Sequence, residues 1–172
     1  MKKLRHIALG VLLLSLLWPA GCLIRYSGRD QCGIAGNRVA VNAPFFLTRL
    51  VNGAPDEVDT LAGSGEKVYR YHNKTLFGKA RSSIGYRGGF RLWQIEASIP
   101  VEGGEKDALF EAVSNSLRSR YQNIRGFYCE DISDENGIPV GRKMGSNLGP
   151  PFLLAEIRID EASLSITVSD LR

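Results

Sequence analysis

Histidine occurs only twice in the 172 residues, at His6 and His72, and cysteine three times, at Cys22, Cys32 and Cys129. With no closely spaced cysteine pair, and His72 the one imidazole beyond the N-terminal stretch, a zinc centre of nitrogen and sulfur ligands lacks its material. Catalytic signatures are equally thin. Gly63-Ser64-Gly65 and Gly145-Ser146-Asn147 are small-residue turns without the Gly-x-Ser-x-Gly elbow that presents a nucleophile. Tyr71 and Asn73, which flank His72, define no triad. No motif implies a cofactor, and no internal repeat or low-complexity block occurs. Long apolar runs are missing everywhere except near the start.

That exception carries the strongest signal in the chain. Lys2, Lys3 and Arg5 form a basic head, and Ile7 to Trp18 is a twelve-residue stretch broken only by Gly10 and Ser15. Pro19-Ala20-Gly21 then ends it with small residues ahead of Cys22, which is the layout of a secretory signal. The segment resembles a bacterial lipoprotein leader, in which a leucine-rich core runs into a box of Leu, a small residue, Gly or Ala, then Cys. Ala20, Gly21 and Cys22 match the last three positions of that box, and Pro19 stands where the family usually has Leu. The resemblance spans the first 22 residues. It implies cleavage before Cys22, lipid on its thiol and attachment to a membrane through that lipid. Leu23 follows where inner-membrane retention in enteric bacteria uses Asp, so the expected place is the outer membrane, facing the periplasm. Two other readings stay open: cleavage nearby by an ordinary signal peptidase, or an uncleaved anchor over Ile7 to Ile24. The latter has about the 18 residues a spanning helix needs, with Pro19 and Gly21 interrupting it.

Removing the leader changes the charge. The formal net of +4 includes Lys2, Lys3 and Arg5; without them 19 basic residues face 18 acidic ones. A near-neutral mature chain gives no reason to expect nucleic acid as a partner. Its 151 residues, Cys22 to Arg172, suit one domain with a sizeable core. With Cys22 assigned to lipid, Cys32 and Cys129 remain, free to pair as a disulfide in an oxidising compartment or to sit in the core as thiols. A bridge between them would close a loop long enough to contribute about 4 to 5 kcal/mol in the chain-entropy model.

Three regions follow: a signal peptide over 1–21, a lipidated tether over 22–37, and a single α+β domain over 38–172. Within the domain, Arg38 to Val51 predicts one or two short strands, with Pro44 confining them to an edge or bulge. Lys67 to His72 alternates polar and aromatic residues as a strand. From Phe90 to Val101, Trp93, Ile95, Ala97, Ile99 and Val101 share one face and Gln94, Glu96 and Ser98 the other, the clearest period of two in the chain. From Glu105 to Ile124 the period lengthens: Leu109, Ala112, Val113, Leu117, Tyr121 and Ile124 recur at three and four. Acid lies early and base late, and Gly126 follows as a stop. Strands are then expected at Phe127 to Ile132 and Ile138 to Arg142, with a closing hairpin of Phe152 to Ile159 and Leu164 to Val168. The pattern predicts an antiparallel β-sheet with one main amphipathic helix packed on one face.

The most uneven stretch is Lys67 to Arg91. It holds seven basic residues, no acidic ones and five interleaved aromatics, Tyr69, Tyr71, Phe77, Tyr86 and Phe90. Arg70, Lys74, Lys79, Arg81, Arg87 and Arg91 are the candidate binding patch, suited to an anionic glycan or lipid headgroup by charge and stacking. The alternative is a plain amphipathic hairpin, aromatics to the core and charges to water. Glu130, Asp131, Asp134 and Glu135 form an acidic counterpart without a calcium-loop spacing, and read as a solvated turn. The expected function is that of a non-enzymatic envelope lipoprotein binding a protein or an anionic envelope component. A periplasmic inhibitor of a toxin or hydrolase, and an envelope hydrolase using His72 or scattered carboxylates, are the alternatives.

Overall fold

The computed structural model describes residues 15, 17, 18, 20–148, 153–160 and 162–170. Most of the leader core, Pro19, and the Gly149 to Phe152 end of the Gly- and Pro-rich loop lie outside the described residues. Eight strands form one antiparallel sheet: β1 (Glu57–Thr60), β2 (Lys67–Leu76), β3 (Lys79–Gly88), β4 (Leu92–Pro100), β5 (Phe127–Ser133), β6 (Pro139–Ser146), β7 (Leu153–Ile159) and β8 (Ser163–Asp170). Their spatial order is β1-β2-β3-β4-β8-β7-β6-β5, so two four-stranded meanders meet where β4 pairs with β8. Between the meanders the chain passes through α2 (Lys106–Tyr121); the shorter α1 (Leu47–Asn52) precedes β1. Among the described residues no helix is long and apolar enough to cross a membrane.

The register explains the core. Tyr69, Tyr86, Ile95, Val168, Ala155, Met144 and Cys129 are successive cross-strand partners from β2 to β5. Tyr71, Ile84, Ala97, Ile166 and Ile157 make the next such row. Because side chains alternate along a strand, both rows point to one face, and all but the half-buried Cys129 are buried there. The other face carries Arg70, Gly85, Glu96, Thr167, Glu156, Lys143 and Glu130 in one row and stays polar.

Three segments supply buried residues to that same core. α2 contributes Leu109, Val113, Leu117 and Tyr121. α1 and the turn before it add Phe45, stacked on Tyr69 at 4.5 Å, and Leu47. The irregular stretch before α1 adds Cys32, Ile34, Val39 and Ala43. Two sequence expectations change here. Arg38 to Val51 forms no strand: it makes isolated bridges, Val39 to Ser27 and Pro44 to Arg91, and then α1. Val39 and Val41 have strand propensity, but the chain turns at Asn42 (φ 71°) and Pro44 has no N–H to extend a ladder. The stretch 22–37, read as a tether, is folded from its beginning. Asn37 is buried and donates its amide to the Gln31 and Val39 carbonyls at 3.0 Å each, while Tyr86 Oη donates to its Oδ1 at 2.8 Å.

The β2–β3 hairpin turns on Phe77-Gly78, both at positive φ, 49° and 76°. Only the second position suits this without cost, since glycine has no Cβ. Phe77 is held by its ring, packed against the core, and by its N–H, which donates to the Ala35 carbonyl at 3.2 Å.

Candidate functional site

The six basic residues of the candidate patch do not come together. Strand alternation and the hairpin scatter them. Arg70 and Arg87 lie on the polar face; Arg70 pairs with Asp59 and reaches Glu57 at 3.7 Å. Arg87 pairs with Glu66 at 3.3 Å and lies over the Trp93 ring at 4.5 Å. Lys79 pairs with Glu105 at the α2 end of the sheet, where Arg81 also sits beside Glu102. A register shift between Tyr71 and Lys74 carries Lys74 over the Tyr71 ring, at 5.1 Å. Arg91 stands apart at the far end, after the β3–β4 turn. The Arg70 guanidinium is held above its usual range chiefly by its hydrogen bond to Asp59. Of the five aromatics, Tyr69, Tyr71 and Tyr86 are buried and Phe77 packs on the core, so four are spent on the interior and Phe90 alone of the five stays exposed.

The acidic run serves the fold. Asp134 accepts the N–H groups of Asn136 and Ile138 at 2.9 and 2.8 Å, closing the β5–β6 turn. Asp131 accepts from Arg142 at 2.7 Å, and Arg142 also approaches Glu111 at 3.3 Å and the Phe110 ring at 5.0 Å. That cluster straps β6 to α2 and escapes sequence reasoning, since Glu111 lies 31 residues from Arg142. His72 is exposed, with Nε2 3.1 Å from Glu57 and no nucleophile among its described hydrogen-bond partners. No group of three or more His, Cys, Asp or Glu side chains is placed to hold a metal among the described residues.

All three cysteines are thiols in this structure. Cys32 is buried beneath one flank of α2: its carbonyl accepts from Tyr121 Oη at 3.0 Å and its sulfur from the Val41 N–H at 3.3 Å. Cys129 lines a polar pocket on the opposite flank with Glu111, Ser114, Asn115 and Arg118. The Cys32–Cys129 bridge expected from composition is thus not formed here, where the two thiols have separate surroundings. Burial pushes the Cys32 thiol above its usual value, and burial likewise raises Tyr121 and Tyr86.

Cys22 is buried in the wall of a groove of about 450 Å3, which Leu17, Trp18, Gly21, Arg25, Tyr26, Asn42, Pro44, Phe90 and Arg91 also line. Its surroundings come from two loops drawn together by backbone bonds. Phe45 N–H donates to the Phe90 carbonyl at 3.0 Å and Leu92 N–H to Ala43 at 2.9 Å, while Ala40 N–H donates to Tyr26 at 2.9 Å. The helical residues 20–26 therefore run straight into the fold, with Ser27 bridged to Val39 only five positions after Cys22. The sequence marks Cys22 but not Phe90, Pro44 or Asn42 around it, because those contacts depend on tertiary pairing. This chain matches no protein-family model, no curated protein and no solved structure.

Proposed function

We propose that this chain is a non-enzymatic cell-envelope lipoprotein, cut before Cys22 and anchored by lipid on that thiol. Its α+β domain, with α2 as the main helix laid across one face of the sheet, acts as a binding module at the outer membrane, facing the periplasm. Its partner is a protein or an anionic envelope component. The observation that carries this reading is the leader itself: basic head, apolar core, then Ala20-Gly21-Cys22. Cys22 lies where the chain enters the domain with little free linker after it, and its buried thiol shares a groove with Leu17, Trp18 and Gly21, which the cut removes. A non-catalytic role rests on the sequence, which offers one mature imidazole and no nucleophile motif.

The partner surface this reading favours is the open face of the sheet. There Arg70, Ser83, Gly85, Glu96, Ser98, Ser165 and Thr167 line a shallow trough of about 200 Å3. Small side chains at its centre let another surface approach the strands closely, and Arg70 and Glu96 supply charges of both signs at its rim. Two measurements on the protein in its native host test the reading. Alkyne-palmitate should label the wild type and not Cys22→Ala. Affinity capture from envelope fractions should lose its partner with Thr167→Arg, which fills the trough, and keep it with Glu135→Ala, which does not touch it. Equal labelling of both chains would refute the anchor, and unchanged capture would remove the trough.

A further inference from the structure

Where β3 turns into β4, apolar side chains stand uncovered beside Cys22. Phe90 is 79 % exposed, Leu50 56 % and Phe46 42 %. They form one surface: the Phe45–Phe90 backbone bond sets α1 against the β3–β4 turn, and Phe46 and Leu50 lie one helical turn apart. Leader residues cover part of it. The Trp18 ring lies 5.9 Å from that of Phe46, and Leu17, Trp18 and Gly21 share the groove with Phe90 and Arg91. A cut before Cys22 takes all three away. The charge of this end is one-sided as well. From Cys22 to Pro55 the chain has four arginines, Arg25, Arg29, Arg38 and Arg49, against a single acid, Asp30. Arg91 joins them across the groove, whereas the chain from Asp56 onward holds 17 acidic residues and 15 basic ones.

We infer that this end of the domain is a bilayer-docking face. The inference rests on the lipoprotein reading and adds an orientation to it. Phe46, Leu50 and Phe90 enter the boundary between headgroups and acyl chains, and Arg25, Arg49 and Arg91 meet the phosphates of anionic lipid. The bilayer is the occupant because the anchor delivers it. Cys22 is joined to Ser27 by helical chain at about 1.5 Å per residue, so the acyl chains leave within roughly 8 Å of the fold. A folded body held that close, with apolar and cationic groups on the held side, has the composition of an interfacial membrane surface. Docking leaves the opposite end of the sheet, including the β5–β6 turn at Ile138, away from the lipid.

The test uses the full chain, purified from the host envelope and reconstituted in phosphatidylcholine vesicles containing phosphatidylglycerol and brominated acyl chains. Phe90→Trp and Ile138→Trp each add one indole at an exposed site, and mass spectrometry of the same samples reads the N-terminus. The expected result is quenching of the Phe90→Trp signal at least roughly twofold stronger than that of Ile138→Trp, as insertion at the interface requires. Replacing Arg25, Arg49 and Arg91 together by Gln, or omitting phosphatidylglycerol, should reduce that difference. A lipidated sample in which the two signals are quenched equally overturns the docking face alone. Quenching unchanged by the arginine replacement overturns its electrostatic half. A sample beginning at Met1 overturns the lipoprotein reading, and the docking face with it.

Discussion

Among the described residues, burial makes several side chains hold their protons more tightly in the folded chain than in the unfolded one. The Cys32 thiol and the Tyr71, Tyr86 and Tyr121 hydroxyls are all raised, in each case first by burial. Stability from these groups is complete below their unfolded values, about 8.5 for cysteine and about 10 for tyrosine. It is lost as pH climbs through the higher folded-state values. The protein should therefore lose stability in alkali as pH rises above those unfolded values. Tyr121→Phe removes the hydroxyl that donates to Cys32 and should cost about 1 kcal/mol at neutral pH in urea titration. The same variant should flatten the alkaline loss, because one raised group is gone. Thiol accessibility is a second residue-scale outcome. In the native protein Ellman's reagent should find Cys129, which lines an open pocket, and not Cys32, which appears only on denaturation. Failure to titrate either thiol in denaturant without reductant would mean that the two are bonded after all.

At the scale of elements, α2 and the strap of Arg142 to Glu111 and Asp131 decide how firmly the second meander is covered. Leu117 is fully buried and meets Gly33, where φ is 73° and a Cβ would come within 3.1 Å of the Leu117 Cα. Leu117→Ala should destabilise by about 2–5 kcal/mol, measured by denaturant unfolding, because the cavity lies under the junction of α2 with the irregular segment. A loss below about 0.5 kcal/mol, the range of an ordinary surface substitution, would show that this junction does not hold the fold. The same elements show what the sequence made legible. β4 follows the strict period of two at Phe90 to Val101, and α2 the three-and-four spacing after it, because each buries one face along its whole length. β3 was legible only within the amphipathic-hairpin alternative for Lys67 to Arg91, because its basic, small and turn-forming residues alternate visibly only at Ile84 and Tyr86. β1 is short and exposed throughout, an edge strand defined by its partner and not by its own residues.

For the whole molecule, the two halves of the sequence signal had different fates. The uneven charge of Lys67 to Arg91 was legible, yet its meaning depended on carboxylates from Glu57, Asp59, Glu66 and Glu105 that only folding brings alongside. Composition overstated the patch because it counts charges within a window and folding pairs them across windows. The tether failed for the opposite reason: Gly28, Gly33 and Gly36 suggest loose chain, whereas Gly33 and Gly36 are places where backbone closes on Leu117 and on the Thr75 carbonyl. With that segment folded, the domain begins at Cys22, and the proposed lipid-held module with one end on the bilayer rests on where the chain is cut. The most direct measurement is intact and N-terminal peptide mass spectrometry of the protein isolated from its host envelope. The account predicts a first residue of Cys22 bearing diacylglycerol on sulfur. A chain that begins at Met1, or at a residue beyond Cys22, would contradict it.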